Sequence, residues 1–374
     1  PMVKGKISDL TRIRELVPTL KYLADQKAKV VVLSHFDRPG GKFVPSLSLA
    51  PLVDVVAAQM GGDYAVHFGV DCVGQAARKA VDRLPAGEIL LLENVRFHAG
   101  EEANDPDFAR ELASLGEVYI NEAFSTSHRE HASVVGIAEH LPAYAGFLLQ
   151  KEVETFDALL NNPKRPLVAV VGGAKISTKL AILDHLVTKV NYLVVGGAMA
   201  NTFLYAQGLS IGKSLYEPEL VETAKHILDH AKKEGCEVLL PHDVVVARKL
   251  DESAPCEIVS ADAIPDDAMQ LDVGPETVLM LSQLLQQCHS LVWNGPLGAF
   301  ETRPFDVSTV ALARLVAGRT RQGELFSIAG GGDTVSLLSH AGLESAFTYL
   351  STAGGAFLEW MQGKVLPGVK VVQK

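Results

Sequence analysis

The chain has 374 residues, of which 48% are hydrophobic and 21% charged, and its formal net charge is -10. This composition is typical of a folded protein, and the length exceeds what one hydrophobic core usually supports, so two domains are expected. The acidic balance argues against a broad nucleic-acid or anionic-membrane surface, which needs clustered positive charge. Four scattered cysteines, the lack of an apolar run of membrane-spanning length and an N-terminus without an apolar leader core favour a cytoplasmic location.

Short apolar runs alternate with helical stretches along the whole chain, which predicts parallel, doubly wound sheets. The first series is AKVVVLSHF (28–36), YAVHF (64–68), EILLLENVRF (88–97) and EVYINEAF (117–124). The second series is LVAVVGG (167–173), NYLVVGG (191–197), CEVLLP (236–241), SLVWNGP (290–296), LFSIAGGGD (325–333) and FTYLSTAGG (347–355). Between them, KEVETFDALL (151–160) has helical spacing and precedes the breakers NNPKRP, which indicates the interdomain connection. The predicted fold class is α/β with two Rossmann-like halves.

The residues that follow the apolar runs differ between the two series. Ligands of open parallel sheets bind beyond the carboxyl ends of the strands, so these residues indicate the ligand. The first series is followed by His35, Arg38, Arg96, His98, His128 and Arg129, and the second by Gly172, Gly173, Gly196, Gly197, Asn294, Gly295, Gly330 to Gly332, Gly354 and Gly355. Arginine suits a small, multiply charged anion, whereas glycine brings backbone amides close to a nucleotide. Tight turns and close packing are the alternative explanation for each glycine pair.

The stretch VAVVGGAKISTK (168–179) predicts a buried strand that ends at Gly172 and Gly173 and is followed by a helix. On that helix Lys175 and Lys179 would lie on the first two turns, one above the other. Two lysines there repel each other and oppose the helix dipole, so a bound anion between them is one interpretation. Two solvated surface lysines are the other.

Several well-known fingerprints fail in this sequence. QGLSIGKS (207–214) has one residue too few between its glycines for a phosphate-binding loop, and no G-x-G-x-x-G follows a strand. His128 and His131 do not form the H-E-x-x-H zinc motif, and no G-x-S-x-G serine is present. The chain therefore gives no indication of hydrolase chemistry or of a standard dinucleotide site.

Five motifs occur together in one order and closely resemble those of the phosphoglycerate kinase family. They are LSHFDRP (33–39), LLENVRFH (91–98), GGAKISTK (172–179), WNGPLGAFE (293–301) and GGGDT (330–334). The resemblance runs from TRIR (11–14) to LPGV (366–369), practically the whole chain. It implies a glycolytic phosphotransferase with a carboxyl group as acceptor, which reversibly transfers the acyl phosphate of 1,3-bisphosphoglycerate to Mg-ADP, giving 3-phosphoglycerate and ATP. The family works as a cytoplasmic monomer, without nucleic-acid or membrane partners.

The resemblance also implies a domain division. Residues 1–148 would form the domain that binds 3-phosphoglycerate, with residues 356–374 returning to it. Residues 149–164 would form the interdomain helix and linker, and residues 165–355 the nucleotide-binding domain. Hinges are expected near 145–165 and 351–355, so that the domains close over the two substrates across a shared cleft.

Site residues follow from the resemblance position by position. The phosphoglycerate would be bound by Arg12, His35, Phe36, Asp37, Arg38, Arg96 and Arg129. The nucleotide would be bound by Gly173, Lys175, Lys179, Gly274, Asn294, Glu301, Gly331, Gly332, Asp333 and Thr334. Asp333 would hold the Mg²⁺, while Arg12, Lys175 and the backbone amides of Gly354 and Gly355 would stabilise the transferring phosphoryl group. No general base is expected, because the substrate carboxylate is already ionised at neutral pH.

The sequence departs from the family pattern at several positions. Phe36 and Asp37 stand where the family usually has leucine and glycine, Glu122 replaces an aspartate, and Ser125 and Ala353 each replace a glycine. The family's Arg-x-Asp-x-Asn strand would precede PMVKGKI and is absent from this sequence. Two other readings stay open at this point: a sugar or nucleotide-sugar enzyme with paired Rossmann-like halves, and a non-catalytic binding protein that keeps the fold.

Overall fold

The computed structural model describes residues 2–3, 6–7 and 10–373. The strands are β1 (Met2–Val3), β2 (Lys6–Ile7), β3 (Val30–Val32), β4 (Val66–Gly69), β5 (Ile89–Leu92), β6 (Tyr119–Asn121), β7 (Ala143–Ala145), β8 (Leu167–Val171), β9 (Tyr192–Val195), β10 (Glu237–Leu239), β11 (Asp243–Ala247), β12 (Cys256–Ser260), β13 (Met269–Val273), β14 (Ser290–Asn294), β15 (Phe326–Gly330) and β16 (Tyr349–Ser351).

Helices connect these strands. The α-helices are α1 (Thr11–Asp25), α2 (Val53–Gln59), α3 (Gly74–Arg83), α4 (Ala99–Glu102), α5 (Pro106–Ala113), α6 (Phe147–Leu160), α7 (Leu180–Val187), α8 (Ala198–Ala206), α9 (Val221–Glu234), α10 (Pro275–Gln287), α11 (Val307–Arg321), α12 (Gly332–His340), α13 (Gly355–Met361) and α14 (Pro367–Lys370). Short 3-10 turns occur at Pro45–Leu47, Ala50–Leu52, Val95–Phe97, Phe124–Thr126, Gly136–Glu139, Pro218–Leu220 and Glu344–Ala346. In the described part of the chain, no helix is long and apolar enough to cross a membrane.

Contacts divide the chain into two compact units. The first comprises the described residues up to Glu154 together with those from Val365, and the second is Thr155–Lys364. The dividing point falls within α6, inside the segment 149–164 that the resemblance implies as the interdomain helix and linker. The residues that group with the first unit at the C-terminal end begin at Val365, nine positions after the start of the returning segment at 356 that the resemblance implies.

The second unit is built on a six-stranded sheet whose strands are all parallel, in the order β10-β9-β8-β14-β15-β16. All five residues of β8 and all five of β14 are buried, as expected for strands covered by helices on both faces. The chain runs outward from β8 in one direction and from β14 in the other, so the strand order reverses between these two neighbours. Such a reversal opens a crevice beyond the carboxyl ends of the two strands, where ligands of this architecture bind.

The first unit has smaller parallel sheets. Strand β5 lies between β3 and β4 in a three-stranded parallel sheet, and β6 pairs with β7 in a separate parallel pair. Leu90 and Leu92 of β5 enter a core with Leu112 of α5, Ala77 of α3 and Ile137. The α/β fold class with parallel sheets is confirmed in both units.

The antiparallel sheets were not predicted from the sequence: β1 pairs with β2, and a larger sheet lies in the second unit. Strand β11 pairs antiparallel with both β12 and β13, and the latter pairing shifts register between Val245 and Val246. Four of the five residues of β12 are exposed, so this strand lacks the apolar run that marks the buried parallel strands. The three strands of this sheet follow β10 and precede α10 along the chain.

Glu122 caps the first turn of α6. Its Oε1 accepts the amide N–H of Leu148 at 3.1 Å and its Oε2 that of Leu149 at 3.2 Å, while the Thr19 hydroxyl donates to the same carboxylate. Thr19 Oγ1 in turn accepts the N–H of Phe147 at 3.1 Å. A carboxylate at a helix N-terminus satisfies otherwise unpaired donors and interacts favourably with the helix dipole. Glu122 and Thr19 therefore fix where α6 begins.

We expect Glu122→Ala to lower the urea concentration at which the protein unfolds, followed by circular dichroism. The substitution removes the acceptor of two amide groups and one hydroxyl, and hydrogen bonds to a charged group contribute about 1.5–3 kcal/mol each. Glu117→Ala is the control, because Glu117 is an exposed carboxylate of the same unit. Equal midpoints for the two variants would contradict a capping role for Glu122.

Candidate functional site

The first unit brings together four of the predicted substrate residues, His35, Arg38, Arg96 and Arg129. Burial lowers the pKa of His35 to about 4, and the positive charges of Arg96 and Arg129 act in the same direction. Burial also lowers the pKa of Arg96, with further contributions from the charges of Arg129 and Arg38. His35 and Arg38 follow β3, and Arg96 follows β5, so the carboxyl ends of neighbouring strands bring them together. These four residues are called the cationic cluster below.

Arg96 is the buried member of the cationic cluster. Its Nη1 donates to the carbonyl oxygen of Asp37 at 2.7 Å, and its Nε lies 3.5 Å from Oε1 of Glu102. The Nε group is buried and has no hydrogen-bond acceptor among the described residues. Asn94, two residues before Arg96, holds the loop that follows β3, since its Nδ2 donates to the carbonyl oxygen of Phe36 at 2.8 Å. Both segments that carry the cluster are thus fixed to each other.

Two acidic residues of the same region were missed by the sequence analysis. Glu102 faces Arg96, and Glu101 is buried, accepting from the backbone N–H and the hydroxyl of Ser133. Although burial opposes it, hydrogen bonds from His131 and Ser133 lower the pKa of Glu101. Both glutamates lie in α4, directly after the LLENVRFH motif, so a reading that continued past His98 would have found them.

The predicted residues Arg12, Asp37 and Arg38 are more exposed than Arg96. Arg12 is exposed in the first turn of α1, and Arg38 and Asp37 are exposed after β3. Asp37 adopts a left-handed backbone with φ 55°, which aspartate tolerates better than most residues, and its carboxylate accepts the N–H of Arg38 at 2.9 Å. The carboxylate therefore contacts the backbone of Arg38.

In the second unit, the prediction that Lys175 and Lys179 lie one above the other on a helix is wrong. Helix α7 begins only at Leu180, with Lys179 as the residue before it, and residues 172–179 form turns. The hydroxyl and the backbone N–H of Ser177 both donate to the Glu217 carboxylate, so these two donors are satisfied outside a helix. Lys175 is exposed on this loop, whereas Lys179 is half-buried, so the two lysines are not equivalent.

Lys179 lies at the crevice between β8 and β14. Its ammonium group donates to the carbonyl oxygens of Gly172 at 2.5 Å and Asn294 at 3.0 Å, joining the loops that follow these two strands. Burial lowers the pKa of Lys179 to about 8, while the negative charge of Asp333 opposes that change. Asp333 is an exposed carboxylate in the first turn of α12. A cation and an anion from different loops are therefore near each other at this crevice.

Several of the predicted glycines serve close packing between loops. A Cβ on Gly172 would overlap the Pro296 carbonyl, and one on Gly295 would overlap the Gly172 carbonyl. Gly197 has φ 68°, and its Cβ would lie 2.6 Å from the Gly173 carbonyl oxygen. For these residues the alternative explanation, close backbone packing, applies directly. In contrast, a Cβ on Gly332 or on Gly354 would meet no atom within 4 Å.

Asn294 and Thr334 continue the same crevice. Asn294 Nδ2 donates to the Gly330 carbonyl at 2.8 Å, and the Gly295 N–H donates to Thr334 Oγ1 at 2.7 Å. The Oδ1 atom of Asn294 is buried without a hydrogen-bond partner in the described chain, and Gly331 fits against the amide group. The structure therefore brings together Gly173, Lys179, Asn294, Gly331, Asp333 and Thr334, while Lys175, Glu301 and Gly355 are exposed on loops or at a helix start.

Gly274 belongs to a different part of the same unit. It precedes α10 and packs against the carboxylate of Asp243, which accepts the N–H groups of Glu276 and Thr277. Next to it lies an apolar pocket that the sequence analysis did not predict. It is lined by Val194, Leu239, Pro241, Val273, Met280 and Leu297 and has no free volume large enough for a water molecule.

Comparisons with known proteins agree with one another. The family model for phosphoglycerate kinase matches residues 1–364. Phosphoglycerate kinases of Granulibacter bethesdensis and Chelativorans sp. are 57% and 54% identical, each over all of this chain and 94% of the relative. The structure is similar to that of phosphoglycerate kinase from Coxiella burnetii, with a TM-score of 0.91, 40% identity and coverage of 100% of this chain and 93% of the other. The chain belongs to the phosphoglycerate kinase family.

Proposed function

We propose that the protein transfers the acyl phosphate of 1,3-bisphosphoglycerate to Mg-ADP and catalyses the reverse reaction. The cationic cluster carries this proposal, because Arg38 and Arg129 place their positive charges near that of Arg96, beside His35. A bound phosphate or carboxylate would relieve that repulsion, and arginine forks match the oxygens of either group. Arg12 and the backbone of Phe36 and Asp37 belong to the same proposed substrate site.

The crevice of the second unit supports the nucleotide side of the proposal. Lys179 supplies positive charge, and the buried Asn294 Oδ1 lacks a hydrogen-bond partner among the described residues. The open space beside Gly332 leaves room for a ligand at the start of α12. Lys175, Gly173, Gly331 and Thr334 would contact the phosphates, and Glu301 the ribose. Gly274 would also line the nucleotide site.

The donor set also suits Mg²⁺ bound together with the nucleotide. Magnesium needs only one or two protein carboxylates, since phosphate oxygens and water complete its coordination. Asp333 offers an exposed carboxylate in the first turn of α12, near the positive charge of Lys179. When bound, the ion would neutralise charge on the phosphates. Asp333 would hold the ion.

The residues of this chain would act by alignment and charge stabilisation. The acceptor oxygen belongs to a carboxylate that is ionised at neutral pH, so no general base is needed. Arg12, Lys175 and the amides of Gly354 and Gly355 would stabilise the transferring phosphoryl group. Since the proposed substrate and nucleotide residues belong to different units, we infer that the units close on their ligands, which would exclude water from the acyl phosphate.

Replacing Arg38 should weaken the binding of 3-phosphoglycerate and leave the binding of ATP unchanged. Arg38→Ala is expected to raise KM for 3-phosphoglycerate by about tenfold or more, because a hydrogen bond to a charged group contributes about 1.5–3 kcal/mol. KM for ATP should stay unchanged in a coupled assay. Arg110→Ala is the control, since Arg110 is exposed on α5 and pairs with Asp107. Equal effects on both KM values would argue against the substrate role of the cationic cluster.

The metal role of Asp333 can be tested by calorimetric titration with ADP. Asp333→Asn should weaken binding in the presence of Mg²⁺ and leave binding in EDTA nearly unchanged, because the lost carboxylate contacts the ion and not the nucleotide. Asp229→Asn, an exposed aspartate of α9, is the matched control. The role is refuted if Asp333→Asn weakens binding equally with and without the metal.

The affinity for ADP should depend on the charge of Lys179. Below its pKa of about 8 the lysine is protonated and attracts phosphate, so we expect the dissociation constant to rise as the pH rises through that value. Lys179→Arg keeps its charge over the same range, which should flatten the pH profile. Titration of ADP into both proteins across this pH range measures the two dissociation constants. Parallel pH profiles would exclude Lys179 as the source of the pH dependence.

A further inference from the structure

Three different metal-ligating side chains meet in the first unit, outside the residues assigned to substrate. Asp71 and Cys72 lie between β4 and α3, and His98 follows the 3-10 turn that carries Arg96. The His98 Nε2, the Cys72 Sγ and a carboxylate oxygen of Asp71 all lie within 4.8 Å of one another. Among the described residues, no other group of three histidine, cysteine, aspartate or glutamate ligands is this close.

The cluster is open to solvent on one side. Cys72 is fully buried, whereas the side chains of His98 and Asp71 are 34% and 42% exposed, so an ion could enter from their side.

The donor types select among metals. Thiolate and imidazole ligands favour Zn²⁺ over Mg²⁺ or Ca²⁺, which prefer oxygen. Zinc bonds of about 2.3 Å to sulfur and 2.0 Å to nitrogen would set the donors about 3.5 Å apart in a tetrahedral site. The donors of this cluster need only small side-chain movements to reach that spacing, with water as the fourth ligand.

We propose that Asp71, Cys72 and His98 form a zinc-binding site. On binding, the Cys72 S–H proton leaves to solvent and the sulfur forms a bond to Zn²⁺, with no change of oxidation state. The hydrogen bond between His98 Nε2 and Asp71 Oδ1, now 2.7 Å long, opens so that each atom binds the ion. Asp71 Oδ1 also accepts the Cys72 N–H at 2.7 Å, which holds this part of the site in place.

Cobalt substitution tests this site on the full, reduced chain after metal removal with EDTA. Titration with Co²⁺ should produce a thiolate-to-cobalt charge-transfer band in the near ultraviolet that saturates at one ion per chain and disappears on addition of Zn²⁺. Cys72→Ala should abolish the band, and His98→Asn should weaken Co²⁺ binding by at least about tenfold. Imidazole-only binding, for example at His226 and His230 on α9, gives no thiolate band.

Two controls distinguish this site from adventitious binding. Cys256→Ser removes an exposed thiol, and His67→Asn breaks a comparable histidine–carboxylate pair, His67 with Glu88, that lies outside the three-residue cluster. Both variants should keep the band. If Cys72→Ala does not fold, His98→Asn and Asp71→Asn decide the outcome, since both change partly exposed side chains. The site is refuted by the lack of a band in the unmodified chain, by its loss in Cys256→Ser, or by unchanged affinity in both surface variants.

Discussion

Three loops of the second unit meet backbone to backbone at the carboxyl ends of β8, β9 and β14, and their contact excludes any side chain there. Gly172, Gly197 and Gly295 each face a neighbouring loop's backbone where a Cβ would stand. The Lys179 ammonium joins two of the loops through the carbonyl oxygens of Gly172 and Asn294. Because the strand order reverses at the same place, the packing that fixes these loops also fixes the surface on which we propose that the nucleotide binds.

The first unit meets a different constraint, which is electrostatic. A buried arginine is costly unless its charge is balanced, and Arg96 has only partial compensation from the Asp37 carbonyl and Glu102. The further positive charges of Arg38 and Arg129 increase that cost. Such an arrangement is unfavourable for stability alone and favourable for holding a multiply charged anion, so the stability lost there is consistent with a binding role.

The sequence predicted the central parallel strands well because β8 and β14 are short apolar runs buried on both faces. It failed at residues 172–179, which lie outside helix α7. Lys175 and Lys179 therefore do not stack, and Ser177 between them binds the distant Glu217. Strand β12 is mostly exposed and pairs through its backbone, which leaves no hydrophobic periodicity to detect.

The glycine-rich rim illustrates why motif composition alone could not separate packing from binding. Gly172 and Gly332 both follow strands of one sheet, yet protein atoms surround the position of a Cβ on Gly172 and none comes within 4 Å of one on Gly332. Ala353 stands where the family has a glycine, but its backbone does not need one. Among the described non-glycine residues, only Lys27, Asp37 and Asn104 have positive φ, so alanine fits at position 353 without strain. A Cβ on Gly332 or Gly354 would stand in open space, and the space at the start of α12 leaves room for a bound phosphate.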